Sequence, residues 1–186
     1  MRYEIFYDMD NTLFEMQKAL VGSYSGKIGT YGATKKITID QIMKKLHQPG
    51  LFASFKPIQN SQAVLKKLNK MGYDVKILSQ PMINDHCIKE KNYSLKTYFP
   101  FISLKNATYT FDKYLLAKNN RILIDDNIEH LENWQKNGGI AICFVRGYNK
   151  NFKGLRIKKH SEIFKILEVL EAFKEIDSII QKERRI

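Results

Sequence analysis

The chain has 186 residues, 44% of them hydrophobic, which suffices for one well-packed domain with a small insertion but not for a second full domain. No apolar run approaches the length that spans a bilayer, and the first ten residues turn acidic, unlike a secretory signal. We therefore expect a cytoplasmic protein without a membrane partner.

The charge of the chain is strongly positive, since 31 basic and 19 acidic residues give a net charge of +12. Such an excess attracts phosphates and nucleic acids over long range. The lysines are scattered, however, and no aromatic-basic recognition motif accompanies them, so the charge indicates a general preference for anionic partners. The two cysteines, Cys87 and Cys143, lie far apart without paired spacing, and we expect buried thiols in a reducing compartment.

Segments rich in β-forming residues alternate with helical patterns along the chain. The predicted strands are Arg2–Tyr7, Tyr73–Ser79, Phe101–Leu104, Arg121–Ile124 and Ile140–Val145. The predicted helices run from Asn60 or Ser61 to Met71, from Asn84 or Asp85 to a point before Pro100, over Ile128–Asn137, and from a cap at Ser161 onward. This order predicts an α/β fold, a Rossmann-like parallel sheet with helices on both faces.

Residues 14–55 contain glycines, a threonine-rich patch and the pair Pro49-Gly50, and they carry no strong strand pattern. We interpret them as a small cap insertion, partly helical around Asp40–Leu46. The core domain would then comprise residues 1–13 and 56–186. The apolar stripe of the last helix is expected to pack on this core, with dimerisation as the alternative, so both a monomer and a homodimer stay open.

Polar side chains follow three of the predicted strands: Asp8 and Asp10 after the first, Ser79 after the second, and Asp125 with Asp126 after the fourth. The carboxyl ends of parallel strands line the ligand crevice of such a sheet. Four carboxylates gathered there would resist joint ionisation unless a cation lay among them. Oxygen ligands favour Mg²⁺, which also binds substrate phosphates, so the pattern predicts Mg²⁺ together with a phosphorylated ligand.

The spacing of Asp8 and Asp10 suggests that the two carboxylates have different chemical roles. Asp8 and Asp10 would point the same way on an extended segment, while Met9 points into the protein. One carboxylate can then attack phosphorus while its neighbour handles the proton of the leaving oxygen. Asn11-Thr12 allows a turn whose backbone N–H groups face the phosphate.

The segments DMDNTL, ILSQ and ILIDDN resemble the first, second and fourth motifs of the haloacid dehalogenase superfamily of aspartate-nucleophile phosphatases. Within it, the chain is similar to the 5′(3′)-deoxyribonucleotidase family, whose first motif also reads Asp-Met-Asp. The likeness continues through PGLFASFKPI, ILSQP and CIKEKNYSLKTYF, and it covers residues 48 to 127 and the first strand.

The resemblance implies roles for the carboxylates at the strand ends. Asp8 would be the nucleophile that forms an aspartyl-phosphate and also binds Mg²⁺. Asp10 would be the general acid and then the base, with its backbone carbonyl on the metal. Asp126 would bind the metal directly, and Asp125 would bind it through a water.

The resemblance also implies the groups that hold the phosphate. Ser79 and the backbone N–H of Gln80 would bind the phosphoryl oxygens. Lys113, in TFDKYLLAKNN, best matches the lysine of the third motif, with Lys105 as its competitor. Lys91 either braces this site, as the likeness suggests, or lies on a solvated helix face.

The resemblance is weakest where the family recognises the nucleoside. The insertion is shorter than the family's cap, and Ile83 stands where that family often has a lysine. Tyr24, Tyr31 and Phe52 could stack on a base, with ordinary packing as the alternative. We expect Trp134 in the core, and we expect the dispersed histidines at the surface or at helix caps: His47, His86, His130 and His160.

Three hypotheses on function follow. The first is Mg²⁺-dependent hydrolysis of (deoxy)nucleoside monophosphates, with a small nucleotide as the partner. The second, motivated by the net charge of +12, is a phosphatase for another ester such as a 3′-phosphate end on nucleic acid. The third is a non-catalytic, basic nucleic-acid-binding protein.

Overall fold

The computed structural model describes residues 2–21 and 38–183 of the chain. Its strands are β1 Glu4–Tyr7, β2 Asp74–Ser79, β3 Ala107–Tyr109, β4 Arg121–Asp125, β5 Ile140–Phe144 and β6 Leu155–Ile157. Its α-helices are α1 Met16–Val21, α2 Ile39–Leu46, α3 Leu51–Ser54, α4 Ser61–Lys70, α5 Cys87–Tyr98, α6 Ile128–Lys136 and α7 Ile163–Glu183. Short 3₁₀ helices cover Leu104–Asn106, Lys113–Leu116 and His160–Glu162.

The strands form one parallel sheet in the order β3-β2-β1-β4-β5-β6. Alternate strand residues belong to two separate apolar clusters, as expected for a sheet covered on both faces. Ile5 and Ile77 belong to the larger cluster with residues of α4, α5 and α7. Phe6 and Leu78 belong to the smaller cluster with Leu131 and Trp134 of α6. The predicted α/β class is confirmed, and Trp134 lies in the core as expected.

One predicted strand was wrong, and one strand was not predicted. Residues Phe101–Leu104 form turns instead of a strand, because the Ile102 N–H donates to Phe99 O and Ser103 caps a 3₁₀ helix. The apolar side chains of this stretch still pack in the core, so hydrophobicity alone imitated a strand there. The third strand begins at Ala107. The sixth, β6, was not predicted, because it has only three residues and only one of them, Ile157, is buried.

The predicted helices are present, with corrections at their starts. Ser161 lies inside a 3₁₀ helix, so the expected cap of α7 at this residue is wrong. Asn60 occupies the N-cap position of α4 without a side-chain hydrogen bond. The Asn84 side chain, in contrast, accepts from the Cys87 N–H at 2.8 Å and so supports the start of α5.

The described part of the 14–55 segment is helical, and α2 confirms the helix expected around Asp40–Leu46. Thr38 and Gln41 form a capping box at its start. The α3 helix is fixed to the core by Glu90 of α5, whose carboxylate accepts from the N–H groups of Gly50 at 2.5 Å and Phe52 at 2.9 Å. Tyr24 and Tyr31 lie outside the described residues.

The register of the sheet determines where the predicted site residues meet. Tyr7 pairs with Ile77 and with Ile124, so β1, β2 and β4 end at nearly the same level. The chain then leaves β1 in a tight turn, with Asn11 at a positive φ of 55°. Within the described ranges, none of the helices is both long and apolar enough to cross a bilayer.

Candidate active site

A cavity of about 220 Å³ lies at the carboxyl ends of β1, β2 and β4. The polar part of its lining includes Asp8, Asp10, Gln80, Asp125 and Asp126, so the structure brings together the carboxylates that the sequence singled out. One wall is apolar and consists of Met16, Leu46, Phe52, Pro81 and Met82. Such a cavity can hold a cation among its carboxylates and a less polar group against its apolar residues.

Three of the carboxylates form a compact buried cluster. Oxygen atoms of Asp8, Asp125 and Asp126 lie within 4.8 Å of one another. These three carboxylates face one buried ammonium, that of Lys113, so two negative charges are left over when all are ionised. A divalent cation with a preference for oxygen ligands fits both the geometry and the charge of this cluster.

Lys113 connects two of these carboxylates. Its Nζ donates to Asp8 Oδ1 at 2.6 Å and to Asp125 Oδ2 at 2.7 Å. Burial acts to lower the pKa of Lys113, but Asp125 and Asp8 outweigh it and raise the pKa, so the side chain stays an ammonium. Lys105, in contrast, is exposed, so Lys113 and not Lys105 is the lysine that contacts the cavity acids.

The buried environment separates the pKa values of the three acids. Burial, reinforced by repulsion from Asp125, raises the pKa of Asp8 to about 6. Burial, followed by repulsion from Asp125 and Asp8, raises the pKa of Asp126 to about 8. Burial also acts to raise the pKa of Asp125, but Lys113 and His130 outweigh it and lower the pKa to about 2. Without a cation, Asp126 is therefore the acid of the three that ionises least readily.

Asp126 is oriented by partners on separate loops. Thr12 Oγ1 donates to its Oδ1 at 3.1 Å, and the Tyr148 hydroxyl donates to its Oδ2. Asn149 Nδ2 donates to the backbone oxygen of Asp126 at 2.8 Å. Arg146 adds a bond from Nε to the backbone oxygen of Asn11 at 2.6 Å, which ties the β5 loop to the turn after β1.

Asp10 and Ser79 share one buried cation. Lys91 Nζ donates to Asp10 Oδ2 at 2.6 Å, to Ser79 Oγ at 2.8 Å and to Gln80 O at 2.9 Å. The solvated-face interpretation of Lys91 is therefore wrong. Ser79 is fully buried, whereas the Asp10 side chain keeps 22% of its surface exposed and lines the cavity.

His130 was expected at the surface or at a cap, and that expectation was wrong. Its ring lines the cavity, with Nδ1 3.1 Å from Asp125 Oδ2 and Nε2 3.0 Å from Gln80 Oε1. His160 also departs from the expectation, because it is buried and stacks on Phe144 with ring centroids 4.5 Å apart. His47 is exposed as predicted, and His86 is the N-cap residue of α5 but makes no side-chain cap bond.

Over residues 2–173, the sequence matches the family model described as 5′ nucleotidase, deoxy (pyrimidine), cytosolic type C protein. The match spans most of the chain, including every residue of the cavity. The chain belongs to this nucleotidase family. The resemblance drawn from the three motifs is thus confirmed, and the protein is an enzyme of the phosphatase class within the haloacid dehalogenase superfamily.

Solved structures of superfamily hydrolases share the fold of this nucleotidase-family protein. A dehalogenase with an intermediate complex has a TM-score of 0.60 at 16% identity, covering 89% of this chain and 96% of its own. A HAD family hydrolase from Deinococcus radiodurans R1 with bound phosphate and sodium has a TM-score of 0.60 at 10% identity, with coverages of 87% and 93%. A predicted phosphoglycolate phosphatase from Haemophilus somnus 129pt has a TM-score of 0.58 at 14% identity, with coverages of 89% and 97%. No curated protein matches the sequence.

Sequence reasoning missed several residues that contact the cavity acids of this nucleotidase-family protein. Tyr148 and Asn149 follow β5, so the rule that polar residues after parallel strands face the ligand crevice could have found them. His130 lies in the first turn of α6. Its sequence context is that of an ordinary helix surface, and the sequence offers no local signal that distinguishes it.

The raised pKa of Asp126 predicts how the metal-free protein responds to pH. The folded pKa of about 8 exceeds the unfolded value of about 4, so the folded state holds the extra proton and stability is lost as pH rises between these values. Asp126→Asn cannot ionise. In EDTA, we expect its free energy of unfolding to rise relative to the wild type between pH 5 and pH 8, by on the order of a few kcal/mol.

Urea unfolding of both proteins at the two pH values measures this difference. Thr12→Val serves as a control, because it removes a hydrogen bond to Asp126 but keeps the ionisable group. Parallel pH dependences for wild type and Asp126→Asn would show that Asp126 is already ionised in the metal-free fold.

Proposed function

We propose that this nucleotidase-family protein is a Mg²⁺-dependent phosphomonoesterase that acts through an aspartyl-phosphate on Asp8 and hydrolyses (deoxy)nucleoside monophosphates. The observation that carries the proposal is the buried carboxylate of Asp8 in the cavity floor, held by Lys113 at 2.6 Å, with the more exposed Asp10 two residues later. A nucleophile and a proton carrier therefore open on the same cavity.

Asp8 has the properties of a nucleophile. Its pKa of about 6 leaves it ionised at neutral pH, while burial keeps it poorly hydrated and hence reactive. The ammonium of Lys113 fixes one carboxylate oxygen and stays charged, so it can balance the negative charge that gathers on the phosphoryl oxygens.

Asp10 completes the two chemical steps. In the first, its carboxyl gives a proton to the leaving oxygen as the ester bond breaks and the bond between Asp8 and phosphorus forms. In the second, the same carboxylate takes a proton from water as the water oxygen attacks phosphorus and releases Asp8. The Gln80 backbone N–H and the Ser79 hydroxyl are the proposed partners of the phosphoryl oxygens.

The donor set fits Mg²⁺, which the carboxylates of Asp8 and Asp126 and the backbone oxygen of Asp10 would hold directly, while Asp125 would act through a water. When bound, the ion supplies positive charge to the phosphate oxygens and offsets the repulsion among the acids. The hydrogen bonds from Thr12 and Tyr148 would keep Asp126 turned towards the ion. This matches the usual arrangement in which further partners orient metal ligands.

The nucleotide assignment rests on the family, whose description names a cytosolic 5′ nucleotidase for deoxy pyrimidine substrates. The same description supports a cytoplasmic location. The apolar wall formed by Met16, Leu46 and Phe52 suits a nucleoside, and we propose residues 14–55 as a cap over the cavity. The net charge of +12 favours a second candidate, a phosphatase for the 3′-phosphate ends of nucleic acid.

The decisive experiment measures phosphate release from nucleoside monophosphates and from 3′-phosphorylated oligonucleotides, with Mg²⁺ and with EDTA. We expect Mg²⁺-dependent release from the mononucleotides, abolished in Asp8→Asn and retained in Asp85→Asn, whose carboxylate is exposed outside the cavity. Release from oligonucleotides alone would contradict the mononucleotide assignment. An inactive wild type, or an active Asp8→Asn, would contradict the aspartyl-phosphate route.

A second variant tests the buried ammonium. We expect Lys113→Met to lower kcat/KM by ~10²–10³-fold, or about 3 kcal/mol of transition-state stabilisation, as when one oxyanion-hole donor is lost. Lys105→Met removes an exposed charge and should stay within about twofold of the wild type, since exposed charges away from a site contribute little. Circular dichroism checks folding, and equal losses in the two variants would refute the role of Lys113.

A further inference from the structure

Lys91 on α5 is a second buried ammonium beside the cavity, and the reaction described above leaves it without a role. The side chain is 1% exposed although it carries a full charge. Its Nζ lies 2.6 Å from Asp10 Oδ2, 2.8 Å from Ser79 Oγ and 2.9 Å from Gln80 O. These three partners are the proton carrier and the two residues proposed to hold the phosphate.

The number of N–H groups on the Lys91 ammonium determines whether it can also bind a substrate oxygen. An ammonium has three N–H groups, and each of the three acceptors around Lys91 lies at hydrogen-bonding distance. No donor is then left for a substrate oxygen. Lys91 therefore differs from Lys113, and it acts on the reaction only through the groups that it holds.

The contacts of Lys91 select which atoms of its partners remain available. Because the ammonium occupies Oδ2 of Asp10, the proton that moves to the leaving oxygen and later comes from water is confined to Oδ1. Because Ser79 Oγ accepts from the ammonium, its own O–H is left to donate to another acceptor. The bond to Gln80 O fixes the residue whose N–H is proposed to face the phosphate.

The helix that carries Lys91 is itself firmly held. Glu90 accepts from the N–H groups of Gly50 and Phe52, and Ser94 Oγ donates to Phe52 O at 3.0 Å. Lys91 Nζ lies over the Phe52 ring, 5.4 Å from the ring centroid. The ammonium is thus enclosed between the cavity wall and the floor, with little freedom to leave Asp10.

We propose that Lys91 is a positioning residue of this phosphatase, which holds Asp10 so that a single oxygen, Oδ1, serves as acid in the first step and base in the second. The role rests on the proposed function, since it assumes phosphoryl transfer to Asp8. It specifies which group Lys91 orients, namely the proton carrier Asp10.

The test uses the dependence on the leaving group. Single-turnover phosphorylation of Asp8 is measured with p-nitrophenyl phosphate and with the alkyl phosphate that the wild type hydrolyses fastest. An alkoxide needs a proton to leave, whereas p-nitrophenolate does not. Lys91→Met, which keeps the side-chain volume, should therefore slow phosphorylation by the alkyl ester by ~10²-fold, the usual contribution of a positioned acid, and by the aryl ester less than about tenfold.

Two controls separate positioning from damage to the fold. Lys89→Met removes an exposed charge from the same helix and should leave both rates unchanged. In an Asp10→Asn background, Lys91→Met should cost little further rate with the alkyl ester, because residues that act as one unit are not additive. Equal slowing of both esters, or a full additional loss in the Asp10→Asn background, would overturn the proposal.

A measurement on the wild type covers the case in which Lys91→Met does not fold. Side-chain ¹⁵N NMR of lysine should show the Lys91 ammonium protected from exchange and unmoved when inorganic phosphate and Mg²⁺ are added, while the Lys113 signal shifts. A Lys91 signal that follows the phosphate titration would make it a phosphate ligand and overturn the proposal. A wild type that releases phosphate from no ester would refute the proposed function and this role with it.

Discussion

The active site depends on one buried ammonium held between two buried carboxylates, Lys113 between Asp8 and Asp125. Each of these charges would cost several kcal/mol to bury alone, and the close pairing makes their burial tolerable. The third acid, Asp126, lacks an ammonium partner in the same cluster and has its pKa raised to about 8. The cluster is therefore one cation short, and this imbalance is the physical reason to expect a metal ion there.

The parallel sheet brings the residues of this cluster together without long connecting loops. Parallel pairing brings β1, β2 and β4 to a common edge, and β1 lies between the other two, so residues just beyond their ends meet without long loops. The consecutive acids Asp125 and Asp126 diverge at the end of β4. Asp125 accepts from Lys113 and from the Asn127 N–H, while Asp126 faces Thr12 and Tyr148. Neighbours in sequence thus acquire pKa values of about 2 and about 8.

The parts of this protein that sequence could predict are those with a periodic or positional signal. Apolar runs that end in acidic residues predicted β1 and β4. Because the carboxyl ends of parallel strands meet at one edge of a sheet, Asp8 was then expected near Asp125. The same hydrophobic signal misplaced β3, because Phe101 and Ile102 are buried through turns instead of strand pairing. The remaining site residues come from helices and from the loop after β5, and only tertiary packing brings them to the cavity.

The adjacent residues Glu90 and Lys91 of α5 limit where this protein can gain or lose residues in evolution. Successive side chains on a helix point about 100° apart. Glu90 therefore accepts from the Phe52 N–H, while the next residue, Lys91, donates to the Asp10 carboxylate. A single-residue insertion or deletion between β2 and Glu90 would rotate or shift α5, and it would displace both of these hydrogen bonds together. Changes in chain length during divergence should therefore be tolerated beyond β6 far better than here, and a foreign cap grafted onto this core would need backbone N–H groups that the Glu90 carboxylate can accept from.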